Sequence, residues 1–250
     1  MVSRNYLVKS FLIFITLFSL LSEAQVNKAY KTMLNNKNSK SEEGLMKMGA
    51  DKYLASALAS YGYNDTTIIR LRGIGVDLLN IKYHLPWNVK IWTALSDCII
   101  IGTVSKIEHP FKENFWYHTL VFVKVEKFLR NDYNLPIGEI PILQVSGWTD
   151  SGKKYTKYGE DTLGIGEHVL LFLSASAVFE FAKNNHLNDL YNQLVNDKNI
   201  KFRVEAKYLI ENGNVVRKDR VRSIAEVTND IDTVLNVINR KIVKTKVNFF

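Results

Sequence analysis

Hydrophobic and polar residues alternate from 117 to 125: Tyr117, Thr119, Val121, Val123 and Val125 share one parity, and His118, Leu120, Phe122, Lys124 and Glu126 the other. A period of two is that of a β-strand. Leu120 and Phe122 make the second face apolar mid-strand, so apolar cover is expected there too. Similar logic gives strands from Cys98 to Glu108, ending in a turn at Pro110, from Glu139 to Val145, and from Val169 to Leu173. The last of these has no polar face. Strand signals resume from Phe202 to Ile210 and cross Asn212-Gly213 into Val215-Val216. Asn-Gly supplies the positive φ angles of a two-residue hairpin turn.

Other segments follow the helical period. Met46, Ala50, Tyr53, Leu54, Ala57, Leu58 and Tyr61 form one stripe closed by Gly62, and Leu187, Leu190, Tyr191, Leu194 and Val195 form another. Ser223 and Glu226 have capping-box spacing ahead of Ile224, Val227, Ile231, Val234, Leu235, Ile238 and Ile242. From 65 to 88 the apolar residues fit neither period, and that stretch leans helical. The expected fold class is α+β, a β-barrel with flanking and inserted helices.

The N-terminus has a separate logic. Arg4 and Lys9 precede an apolar run from Phe11 to Leu21, and Ser22-Glu23-Ala24 supplies small residues for cleavage. The run falls short of the roughly 20 apolar residues that cross a bilayer. Residues 1–24 are therefore read as a signal peptide cut between Ala24 and Gln25, giving a secreted product, extracellular or periplasmic, with no integral membrane span after cleavage. Residues 25–43, rich in Asn, Ser and Lys, read as a flexible leader. A helical region at 44–91 and a barrel at 92–250 follow, the latter with a helical insertion at about 178–198 and a terminal helix at about 223–243. Asn64-Asp65-Thr66 is a glycosylation sequon that only a eukaryotic secretory pathway would use.

The formal net charge is +8, and loss of the signal lowers it by one. The chain is also crowded with Asn, Lys and Ile, a bias that favours reading the charge as solubilising over nucleic-acid binding. Cys98 is the single cysteine, so no internal disulfide forms and stability must come from an apolar core. Its place at the head of Cys98-Ile99-Ile100-Ile101 reads as buried. The five histidines, His84, His109, His118, His168 and His186, are scattered. Glu167 and His168 are strand neighbours and point to opposite faces, which rules out joint metal binding. No metal-ligand spacing, nucleophile elbow or complete phosphate loop occurs, so neither cofactor nor metal is expected.

Ser96-Asp97 before Cys98 to Val104, then Val123 to Arg130, then Gly166-Glu167-His168 before Val169 to Leu173 resemble, in order and spacing, the netrin-module and tissue-inhibitor-of-metalloproteinase barrel. The resemblance covers residues 92–175 and implies an OB-like five-stranded Greek-key β-barrel. Family inhibition uses an N-terminal cysteine on the target zinc. That device and the family's disulfide cysteines are missing here, so the resemblance implies fold alone.

Two features remain as candidate binding surfaces. Trp116, Tyr117, Trp148, Tyr155 and Tyr158 cluster at barrel connections, the last three around the long connection from 147 to 166. Connections above about 12 to 15 residues are usually functional or disordered. Arg217, Lys218, Arg220 and Arg222 form a basic run suited to an acidic glycan or phosphate, or else a solvated edge that blocks strand pairing. The expected function is a non-catalytic binding or interaction module for an extracellular or periplasmic protein or glycan. A secreted enzyme with an unrecognised site and a structural envelope protein are the alternatives.

Overall fold

A computed structural model describes residues 46, 65–76, 88–113, 116–144, 146–148, 154–156, 161–175, 178, 182–183, 186–196, 201–218 and 220–247. The signal peptide, the leader, the helical stripe that starts at Met46, Asn64 and Tyr158 lie outside them, Met46 itself excepted. Helix α1 (Asp65–Gly73) resolves part of the stretch that fitted neither period, and α2 (Val89–Leu95) begins just after it. Then come β1 (Cys98–Glu113), β2 (Trp116–Asn131), β3 (Glu139–Gln144), β4 (Ser146–Trp148), β5 (Lys154–Thr156) and β6 (His168–Ser174). Helix α3 (Asn188–Asn196) precedes β7 (Arg203–Glu211), β8 (Asn214–Arg217), β9 (Arg220–Ser223) and α4 (Ile224–Val247).

Seven strands make one sheet in the order β3-β2-β1-β6-β7-β8-β9, and β4 and β5 pair separately. All strand pairs are antiparallel. The fold is mixed α+β, but the sheet is open and is not the closed five-stranded barrel expected. The reason lies in β7. From Leu209 onward its outer edge is taken by β8 through the Asn212-Gly213 turn, whose φ values are 50° and 76°. Only its entry remains for β3, and the two meet at a single parallel bridge, Ile142 to Phe202. There Leu143 N donates to Phe202 O at 2.7 Å.

Alternation along β6 explains its lack of a polar face. Val169, Leu171 and Leu173 join a core with Cys98, Ile100, Val121, Val123, Val125, Ile142 and Phe202, capped by Leu187 and Leu190. Leu170 and Phe172 point the other way, into a second core with Ile99, Tyr208 and Val215 that is covered by Val89 and Trp92 of α2 and by Val227 and Ile231 of α4. Each such side chain removed from water stabilises the fold by roughly 1.5–3 kcal/mol. The terminal helix starts where its capping box stands: Ala225 N donates to Ser223 Oγ at 3.1 Å and Ser223 N to Glu226 Oε2 at 3.2 Å.

Strand β1 does not turn at Pro110 but runs on to Glu113, with a register shift between Glu108 and Phe111. Proline has no N–H for a ladder, and a bulge accommodates it. Gly102 sits at another irregularity, where a Cβ would lie 2.5 Å from Lys124 O, so only glycine fits. The Lys106 ammonium lies over Phe122, 5.2 Å from its ring centroid.

Candidate functional site

Charged groups that look free in the sequence are gathered into two internal networks. The first centres on Asp97, between α2 and β1, whose side chain is 7% exposed. Its Oδ1 accepts from Arg70 Nη1 at 2.8 Å, and its Oδ2 from Ala175 N at 3.1 Å and from the Tyr133 and Ser174 hydroxyls at 3.3 Å each. Asp132 accepts from Arg70 at 3.2 Å and from Arg130 at 2.8 and 2.9 Å. Arg70 thereby ties α1 to the ends of β1 and β2, and its Nε is buried without a hydrogen-bond partner. Burial works to lower the Arg70 pKa, but Asp97 and Asp132 hold it above its ordinary value. Burial and Asp97 push the Tyr133 phenol well up, and they do the same to the buried Cys98 thiol. A thiol held neutral is no nucleophile.

The second network ties the end of the long connection to the sheet. Lys207 Nζ donates to Glu167 Oε2 at 2.8 Å and to Thr162 O at 2.6 Å, while Lys207 N donates to Asp161 Oδ2 at 3.1 Å. Arg217 Nη1 pairs with that same Asp161 oxygen and donates to Lys207 O at 2.7 Å. Its guanidinium lies 4.5 Å from the Trp92 ring centroid and 5.8 Å from that of Tyr208. Burial raises the Tyr208 pKa, opposed by Arg217, Arg222 and Arg220. Asp161 is thus an arginine partner.

The members of the basic run have different surroundings. Arg217 is consumed by packing, and Arg222 pairs with Asp230 of α4 at 2.9 Å. Lys218, which has a φ of 55°, and Arg220 stand exposed. The run is also a strand, β9, at the edge of the sheet. Its residues read as polar because a four-residue edge strand carries almost no alternation signal.

The aromatic candidates sit on two hairpins. Trp116 and Tyr117 open β2 opposite Glu113 and Lys112, and Trp148 faces Lys154 across β4 and β5, with Tyr155 facing Gly147. Strand β4 lies against both β2 and β1. The connection after Gly147 is therefore not irregular throughout: it opens with a paired hairpin, and residues 161–167 are pinned by Gln144, Lys207 and Arg217.

His168 and Glu167 have separate partners, Glu126 at 3.0 Å and Lys207, as opposite faces require. Thr103 Oγ1 donates to the other Glu126 oxygen at 3.0 Å. Among the described residues no three His, Cys, Asp or Glu side chains group as metal ligands, and no helix is long and apolar enough to cross a membrane. No protein-family model, no curated protein and no solved structure matches this chain.

Proposed function

We propose that this protein is a secreted, non-catalytic binding module that recognises an extracellular or periplasmic protein or glycan with the end of its sheet where the β1–β2 and β4–β5 hairpins meet. One observation carries the reading: β4, whose hairpin with β5 carries Trp148 and Tyr155, lies against β1 and β2, the hairpin that carries Trp116 and Tyr117. Aromatic residues on hairpins held by a rigid scaffold are common contact surfaces. Containment of Arg217, Asp161, Lys207 and Glu167 in internal pairs supports the same reading, because these groups tie residues 161–167 to the sheet and leave the aromatic hairpins as the candidate surface.

The proposal includes an OB-like arrangement of β3, β2, β1, β6 and β7, akin to the netrin-type barrel. Their order and the parallel bridge between β3 and the entry to β7 support a partly open Greek-key barrel extended by β8 and β9. The test is alanine substitution of Trp116, Trp148 and Tyr155 in the mature protein, read by partner capture from its own extracellular fraction and by melting temperature. Lost capture at an unchanged melting temperature supports the contact surface. Retained capture by stable variants removes it.

A further inference from the structure

The free edge of the sheet is β9, and its geometry differs from that of a merely solvated edge. The β8–β9 turn has two residues, so Arg217 and Arg220 are the hydrogen-bonded pair that closes the hairpin. Antiparallel pairs alternate, which makes Val216 opposite Val221 a non-bonded pair and turns the Val221 N–H and C=O away from β8. Ser223, two residues on, obeys the same alternation, and its outward N–H is taken by Glu226. Val221 therefore presents a backbone donor and acceptor at the open edge, with a side chain 63% exposed. Among the described residues β9 pairs with β8 alone.

Charge selects what can pair there. Arg220 and Lys218 are exposed, Arg222 is partly engaged by Asp230, and the three arginines of the ribbon all act on Tyr208. Two copies of this edge would set arginine against arginine, which disfavours self-pairing. An acidic strand meets the opposite situation, with carboxylates beside Arg220 and Lys218 and an apolar residue against Val221. We infer that β9 is a docking edge for an extended acidic peptide segment of a partner protein, added as an eighth strand through the Val221 backbone. Recognition of this kind takes affinity from main-chain hydrogen bonds and specificity from alternate side chains. The inference does not rest on the aromatic hairpins, since β6, β7 and β8 lie between β9 and β1.

The experiment titrates the mature protein with a fluorescent heptapeptide of alternating glutamate and valine, its lysine-and-valine counterpart, and a sulfated tetrasaccharide. Saturable binding of the acidic peptide is expected, weakened at least tenfold by Val221→Pro, which an edge strand tolerates, and by Arg220→Glu. N-methylation of the peptide's central valine should weaken binding equally without altering the protein, so the test survives a poorly folded Val221→Pro. Absent binding of the acidic peptide, equal binding of the lysine peptide, or binding indifferent to both Val221→Pro and N-methylation overturns the inference. So does binding confined to the sulfated sugar.

Discussion

The ion pairs around Asp97 and the arginines of the β8–β9 ribbon are both charged groups at the margins of one sheet, yet they meet water differently. Asp97 is nearly enclosed and accepts from an arginine, two hydroxyls and a backbone amide. Arg220 stands exposed on a strand with an open side. Arg217 shares the ribbon with Arg220 but behaves like the Asp97 group, being folded onto Trp92 and Asp161. The difference teaches that position in the chain does not assign a charge its task. Enclosure does, because a buried charge must be paired while an exposed one remains free for a partner.

Breaking the Asp97 group should have the largest effect. Asp97→Ala leaves Arg70 inward without its main partner and removes the carboxylate that accepts from the Tyr133 and Ser174 hydroxyls and from Ala175 N. A loss of about 3–5 kcal/mol is expected in urea or thermal unfolding, the range for breaking a buried pair. Arg217→Ala should come next, at about 2 kcal/mol, because it removes hydrogen bonds to a carboxylate and a carbonyl together with an aromatic contact. Looser exchange protection across 161–167 should accompany it.

A pH titration sharpens the same contrast. Tyr133 and Cys98 have folded-state pKa values raised by burial and by Asp97. Their stabilising contribution is therefore intact below the unfolded values, about 8.5 for a thiol and 10 for a phenol. It is lost progressively as pH rises above them, because the unfolded chain releases protons that the folded one retains. Melting temperature should fall above about pH 9, and less steeply in Cys98→Ala. Thiol reagents should label native Cys98 slowly and the unfolded chain fast. Smallest of all, Arg220→Ala should shift stability by less than about 0.5 kcal/mol, the range of surface substitutions.

Much of this scaffold is legible in the residues because it is local. The period of two in β2, the Asn212-Gly213 turn and the Ser223–Glu226 box are each decided within a few positions, and each stands where its pattern lies. The internal networks are not legible. Asp97 meets Tyr133 and Ser174 at separations of 36 and 77 residues, and Arg217 meets Asp161 at 56. No periodicity encodes such pairs. The seven-stranded, open sheet was hidden for a related reason: β9 is four residues, two of them arginine, and its membership depends on β8 beside it. Pro110 misled in the other direction, since a bulge absorbs it within a continuing strand.

The most direct test of the binding account is hydrogen–deuterium exchange on the protein alone and with a partner recovered by the proposed capture. Protection gained on binding should concentrate on Phe111 to Tyr117 and on Ser146 to Thr156, where the two hairpins lie together, or extend besides to Val221. Amides of β6, enclosed between both cores, should not change. Protection confined to other surfaces, with both hairpins exchanging as in the free protein, would contradict the account.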